Sequence, residues 1–371
     1  MHREDRLKKL LSGVKRAVVK VGSAVITQED KGLDQEVVED LSKQIAWLKD
    51  KGIKVVLVSS GSIACGRAKL DYYKNPISLT EKQALAAVGQ ATLIQAYETS
   101  FRNYDIYVAQ VLLTSEDLSL RERYLNAKKT LETLLKWDIL PIVNENDTVT
   151  TEGIKFSDND TLSALVAGTI EADIVFVLSD IDSLYDKDPR NNPDAKRIPE
   201  VEEIDEKVFK MAGKKPGRLG RGGMYSKLLA AKMSTSMGIP MVILPGKFKE
   251  NILKFWQGED IGTIFWAKPR KLPMRKLWIK YYIKPEAKLF LDKGAEEAIL
   301  KHGKSLLIAG VVSVEGNFNR GACVECVNLE GKSIAKGLVS FSSEELLQAK
   351  LASKKTDREV IHRDNLVILE E

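Results

Sequence analysis

The chain has 371 residues, 44% of them hydrophobic, with 57 lysines and arginines against 52 aspartates and glutamates. That length predicts two domains at roughly 100–200 residues each. The longest uncharged hydrophobic stretch, the fifteen residues from Gln83 to Tyr97, is too short and too polar for a membrane span of about 18–20 apolar residues, which excludes a membrane helix.

The first 265 residues alternate short β-branched runs with longer periodic ones. Ala17–Val21 reads as a strand, Leu33–Asp50 as a helix, and Lys54–Val58 as a second strand ending in Ser59-Ser60-Gly61. A helix over Glu81–Phe101, a strand over Tyr107–Leu113, a helix over Arg121–Trp137 and a strand over Ile139–Val143 follow. Then come helix Thr161–Glu171, strand Asp173–Leu178, a polar loop, a helix near Val201–Met211, a glycine-rich loop, helix Met224–Met237 and strand Met241–Leu244. Apolar strands without alternation, separated by helices, imply a mainly parallel sheet buried on both faces. The expected fold of residues 1–265 is a three-layer α/β/α sandwich.

The texture changes at Trp266–Pro273, where two prolines and clustered charge predict a linker. Beyond it, Leu306–Val314, Ala322–Val327, Ile334–Phe341 and Asn365–Leu369 read as strands, with one evident helix at Ser343–Leu351. Glycines between them predict a small, mostly β barrel. The charge excess lies here: residues 266–371 hold 19 basic and 14 acidic residues, whereas residues 1–265 hold 38 of each. From Lys268 to Lys304 there are 11 basic and 4 acidic residues. Such a stretch fits a polyanion footprint or simply a solvated surface.

Several chemistries drop out. The only histidines are His2, His302 and His362, so a Ser-His-Asp or Cys-His hydrolase or a His-ligated zinc site is excluded from the main body. Three cysteines cannot close a disulfide framework, and the charged start Met1–Arg6 leads into no apolar segment, which together predict a cytoplasmic protein. Cys323 and Cys326 form a C-x-x-C within a strand, where residues three apart face opposite sides, so the pair is read as structural. Neither Gly-Lys-Ser tripeptide, 303–305 or 331–333, has the upstream glycine of a P-loop.

What remains is a set of polar clusters after predicted strands, where open α/β sheets place ligands. They are Lys20-Val21-Gly22-Ser23, Ser59–Ser62, Asn144-Glu145-Asn146-Asp147 and Ser179-Asp180. Caps and turns alone account for any one of them; four on one sheet edge point to a site. Lys20 interrupts an apolar strand, where a buried ammonium is costly unless an anion meets it, and Gly22 allows backbone amides to approach that anion. Gly217–Met224 leads into a helix carrying Lys227, an arrangement that suits a phosphate clamp. Ser157-Asp158-Asn159-Asp160 precedes an apolar helix, and capping needs only one such side chain.

In order, Val18–Ser23, Val58–Ala64, Leu85–Gln90, Val143–Asp147, Ser157–Leu165 and Gly222–Met224 resemble the amino-acid kinase family, most closely its glutamate 5-kinase branch. From about Lys276 the chain is similar to a PUA domain, here taken as 276–371. The resemblance implies ATP-dependent phosphorylation of the γ-carboxylate of L-glutamate, the first step of proline biosynthesis, with Mg²⁺ held mainly by ATP and not by protein side chains. It assigns Lys20 and Lys227 to the transferring phosphates and Asp160 to organising them. Ser60, Asp147 and Asn159, with Asn144 nearby, would hold glutamate. Gly22, Ser179, Asp180 and the segment Arg221, Gly222, Gly223, Met224, Tyr225, Ser226, Lys227 would hold ATP. The family's loop usually reads Gly-Thr-Gly-Gly-Met; here Arg221 replaces the threonine, which bears on nucleotide preference. Proline as feedback inhibitor, a homo-oligomer (dimer or tetramer) and association with glutamate-5-semialdehyde dehydrogenase are further implications. Acetylglutamate kinase, aspartokinase and uridylate kinase are the alternatives within the fold; RNA binding through the PUA-like region is an alternative of another class.

Overall fold

The computed structural model describes residues 2–369 except 29–30, 74–76, 150–158, 213–222, 248, 268–271 and 352–356. The chain divides into two compact units, Met1–Asp117 with Arg121–Arg270, and Leu118–Leu120 with Lys271–Glu371. Among the described residues no helix is long and apolar enough to cross a membrane.

The larger unit is organised by strands β1 (Arg16–Val21), β2 (Lys54–Ser59), β3 (Val108–Leu113), β4 (Leu140–Glu145), β5 (Ile174–Ser179), β6 (Glu200–Val201), β7 (Met241–Pro245) and β8 (Thr263–Phe265). They form one sheet in the order β6-β8-β7-β5-β1-β2-β4-β3. All pairings are parallel except β7 with β8. The helices that matter for the site are α1 (Ser62–Leu70), α2 (Leu79–Arg102), α3 (Asn159–Thr169) and α4 (Met224–Ser236). Helix α2 starts from a capping box in which the Glu81 N–H donates to Ser78 Oγ (3.2 Å) and the Ser78 N–H to Glu81 Oε2 (2.6 Å).

β1 has a parallel neighbour at each edge and packed elements on both faces, and Ala17 to Val21 are all buried. Alternation then sorts its side chains. Val19 and Val21 join Val55, Leu57, Leu41, Ile45 and Leu48 in one cluster. Val18 and Lys20 occupy the opposite face, the one on which α3 packs. The strand order also reverses at β1: the chain builds β2, β4 and β3 on one side and β5, β7, β8 and β6 on the other. Such a switch point leaves a crevice beyond the carboxyl ends of the strands, and Lys20 stands at that end of β1.

Several sequence expectations need correction here. The helix expected near Val201–Met211 is a short strand, Glu200–Val201, followed by helix Glu206–Met211; Val201 is held in the ladder opposite Phe265. Strand β8 fell outside the expected elements. Helix α3 begins at Asn159, so Asn159 and Asp160 belong to its first turn instead of preceding it; Ser157 and Asp158 lie outside the described residues.

The smaller unit contains α5 (Met274–Tyr281), β9 (Ala287–Leu291), α6 (Lys293–Leu300), β10 (Val311–Glu315), β11 (Cys323–Val327), β12 (Ser333–Leu338), α7 (Ser343–Leu351) and β13 (Leu366–Ile368). Its five-stranded sheet runs β10-β9-β11-β12-β13. Two helices beyond the expected one are therefore present. The run Leu306–Val314, read as one strand, is interrupted by a 3₁₀ turn at Ile308–Gly310. A Cβ on Gly310 would lie 2.4 Å from the Ala295 side chain, so that turn packs directly against α6. Cys326 belongs to the unit's core cluster and Cys323 does not, though both are buried and free. Burial pushes the Cys323 thiol up to about 11 and Cys326 to about 12.

Candidate active site

Lys20 is buried, as the apolar run around it implies, and the anion that meets it is a protein carboxylate. Lys20 Nζ lies 2.5 Å from Asp160 Oδ1, and Lys227 Nζ lies 3.2 Å from Oδ2. Ser226 Oγ donates to the same Oδ2 at 3.0 Å. Asp160 is 1% exposed and the two lysines 5%. Burial alone would push the Asp160 carboxyl up; the two ammonium groups outweigh it and hold the group down to about 2. The buried cluster sets two lysines against one carboxylate, a formal excess of one positive charge that can meet an incoming anion.

Three elements deliver these groups. Lys20 comes from the end of β1, Asp160 from the first turn of α3, and Ser226 and Lys227 from the first turn of α4, which packs against α3. Gly223 precedes α4 with φ +96°, a conformation that glycine adopts without strain. Gly22 sits where a Cβ would lie 3.5 Å from Lys20 Nζ, and its own N–H points to the Leu178 carbonyl at 3.4 Å. What Gly22 leaves beside the ammonium is space; its own amide is engaged.

A second group lies at the ends of β2 and β4. Asn159 Nδ2 is 2.6 Å from Ser60 Oγ and 2.9 Å from Asn144 Oδ1. Asn144 Nδ2 in turn donates to Gln90 Oε1 at 2.9 Å. Ser62 Oγ is 3.5 Å from Asp147 Oδ2. Helix α2 underlies this group. The hydroxyls of its Tyr97 and of Ser59 are 2.8 Å apart, and its Gly89 crosses α1 so closely that a Cβ would sit 1.8 Å from the Ser62 carbonyl oxygen. Since Asn159 and Asp160 are consecutive in α3, the polar group and the lysine cluster are neighbours.

On the other side of the cluster, Ser179 Oγ is 3.2 Å from Asp180 Oδ1 and accepts from the Ile181 N–H at 3.1 Å. A cavity of about 380 Å³ follows, with Asp180, Tyr185, Arg190, Gly223, Met224 and Tyr225 in its wall. The Tyr225 ring packs on Phe209, centroids 5.4 Å apart, and Arg190 forks onto Asp188 at 3.1 and 3.2 Å. A mainly polar wall that also carries two tyrosine rings, Met224 and the cations Lys187 and Arg190 suits a heterocycle carrying phosphates.

The amino acid kinase family model matches residues 15–245 and the PUA domain model residues 287–362. The chain belongs to the amino acid kinase family. It is 49% identical over 364 residues to the glutamate 5-kinase of Thermoanaerobacter sp. strain X514, spanning 96% of this chain and 98% of that one. It is 48% identical to the glutamate 5-kinase of Caldanaerobacter subterraneus, with the same coverage. The glutamate 5-kinase of Meiothermus ruber is 47% identical over 367 residues, 96% of each chain.

In this amino acid kinase the structure brings together Lys20, Asp160, Lys227 and Ser226; Ser60, Asn144 and Asn159; and Asp180 with Gly223, Met224 and Tyr225. Asp147 joins through Ser62. Arg221 and Gly222 lie outside the described residues. Sequence reasoning passed over Tyr185 and Arg190, which sat in a segment read only as a polar loop; the Leu-Tyr pair at 184–185 was the available signal, and it forms a short strand. Gln90 ends the Leu85–Gln90 segment, to which the resemblance assigns no role.

Proposed function

We propose that this chain transfers the γ-phosphoryl group of ATP to the γ-carboxylate of L-glutamate, giving γ-glutamyl 5-phosphate. The observation that carries the reading is the buried Lys20–Asp160–Lys227 cluster, set between an amide-lined polar group and a nucleotide-sized cavity. Supporting it are the near-full-length likeness to glutamate 5-kinases and the family assignment.

The acceptor carboxylate is ionised at neutral pH and attacks phosphorus as it stands; the β,γ-bridging P–O bond breaks and ADP leaves. No proton is moved, so the absence of histidine from the site costs nothing. The task is to hold two anions together and stabilise the charge on the transferring group. Lys20 and Lys227 do this, with Asp160 fixing both ammonium groups. Ser60, Asn159 and Asp147 hold the amino acid, and the cavity beside Asp180 and Met224 holds the nucleotide. Magnesium would enter with the nucleotide as MgATP and would help neutralise its phosphates. By the same family resemblance proline is the feedback ligand and the working form a homo-oligomer.

The test is a coupled ADP-release assay with MgATP and free glutamate, run beside N-acetylglutamate, aspartate and UMP. Turnover with glutamate far above the other three is expected. Turnover with one of those acceptors and none with glutamate would overturn the reading.

A further inference from the structure

The polar group contains a run of amides whose orientations can be read end to end. Asn159 Nδ2 faces the Ser59 carbonyl at 3.4 Å, a group that only accepts, so the Asn144 atom 2.9 Å from that same nitrogen is an acceptor. The backbone N–H of Glu145 donates to that Asn144 oxygen at 2.9 Å, which fixes the Asn144 amide independently. Its Nδ2 is therefore the end that faces Gln90, and the Gln90 atom facing it is Oε1.

Nε2 is left at the other end of Gln90. It is buried, in a residue 8% exposed, and has no hydrogen-bond partner among the described residues. A buried amide nitrogen without an acceptor is costly and calls for an explanation. Turning the Gln90 amide over does not relieve it, because two NH₂ groups would then face each other. Gln90 directly follows Gly89, the residue that α2 presses against Ser62, and Ser62 reaches Asp147. Gln90 is thus bonded to the Asn144–Asn159–Ser60 group and follows the glycine that packs on the Ser62 backbone.

We propose that Gln90 is a specificity-determining residue of the acceptor pocket, its Nε2 donating to a carboxylate of the bound amino acid while its Oε1 holds Asn144 in place. The inference rests on the reading that this pocket takes glutamate. An ionised acceptor is the partner that best offsets the unpaired donor, since charge-assisted hydrogen bonds are the stronger ones. The donor also selects for an acidic substrate.

Full-length Gln90→Met and Gln90→Glu, the second keeping an acceptor for Asn144 but repelling a carboxylate, test this by steady-state kinetics. The KM for glutamate should rise about tenfold to a hundredfold in Gln90→Met and further in Gln90→Glu, with the KM for ATP within about twofold of wild type. A merely structural role would move both KM values and kcat together. A folded variant whose KM for glutamate stays within about threefold overturns the inference while wild-type turnover leaves the functional reading intact. Absence of wild-type turnover with glutamate would overturn that reading, and this inference with it.

Discussion

Each unit of this chain buries lysine in a sheet, and the two do it differently. Lys20 and Lys227 share the carboxylate of Asp160 at 2.5 and 3.2 Å. Lys336, on β12 of the smaller unit, is 7% exposed and donates to the carbonyl of Ile283 at 2.7 Å. Burial pulls the Lys336 ammonium below its ordinary range; Cys323 and Glu325 oppose that and Lys280 adds to it. A carboxylate set between two lysines is itself held down to about 2 by them and meets both side chains at once. A lone ammonium against a neutral carbonyl has no counter-charge, and burial disfavours its charged form. The proposed phosphate site thus lies within residues 1–265, which carry no net formal charge, and the excess of five positive charges lies in residues 266–371.

The comparison breaks most severely at Asp160. Asp160→Asn leaves two buried ammonium groups facing each other, and the expected loss is about 3–5 kcal/mol of folding stability, read by urea denaturation at pH 7, together with most of the turnover. Because the native carboxyl is held down to about 2, its contribution is present above the unfolded value near 3.8 and is lost as pH falls through 2. The gap between wild type and variant should therefore persist from pH 7 to pH 4.5 and narrow only in stronger acid. A gap below about 1 kcal/mol at pH 7 would mean that the ion pairs do not hold the cluster.

Next in size is the support beneath the acceptor group. Gly89→Ala places a methyl 1.8 Å from the Ser62 carbonyl, which forces α1 and α2 apart; a loss of about 1–3 kcal/mol is expected, with a raised KM for glutamate. Full stability would show that the crossing has slack.

Lys336→Met sharpens the contrast through pH. The folded wild type disfavours the Lys336 proton, so its penalty is fully present at neutral pH and fades as pH rises toward the unfolded value near 10.5. The variant's melting temperature relative to wild type should fall steadily between pH 7 and pH 10. A flat difference would show that Lys336 titrates normally. The smallest effect is expected from the surface: Lys293→Glu with Lys304→Glu, both exposed in the smaller unit, should leave the KM for ATP within about twofold, and a larger rise would return the phosphate role to the charge excess.

How far the sequence can be read follows from where each signal sits. Lys20 announced itself, because one charge inside Val18-Val19-Lys20-Val21 has few explanations. Its partner Asp160 is 140 positions away, and only the packing of α3 on β1 makes the two meet; the family resemblance named it, spacing did not. The start of α3 was missed because Asn and Asp read as caps, yet here they are first-turn residues that serve the site. Glu200–Val201 is two residues long and takes its conformation from pairing with β8, a tertiary cause that no local pattern carries. The cavity wall around Tyr185 and Arg190 lies in a polar loop whose composition predicts only exposure.

The central claim is that Lys20, with Lys227, carries the transferring phosphate. It is tested most directly by kcat of folded Lys20→Met with saturating MgATP and glutamate. That substitution removes one ammonium and leaves Asp160 paired with Lys227, so the fold should survive while kcat falls at least about a hundredfold. A variant with a wild-type melting temperature and wild-type kcat would contradict the account.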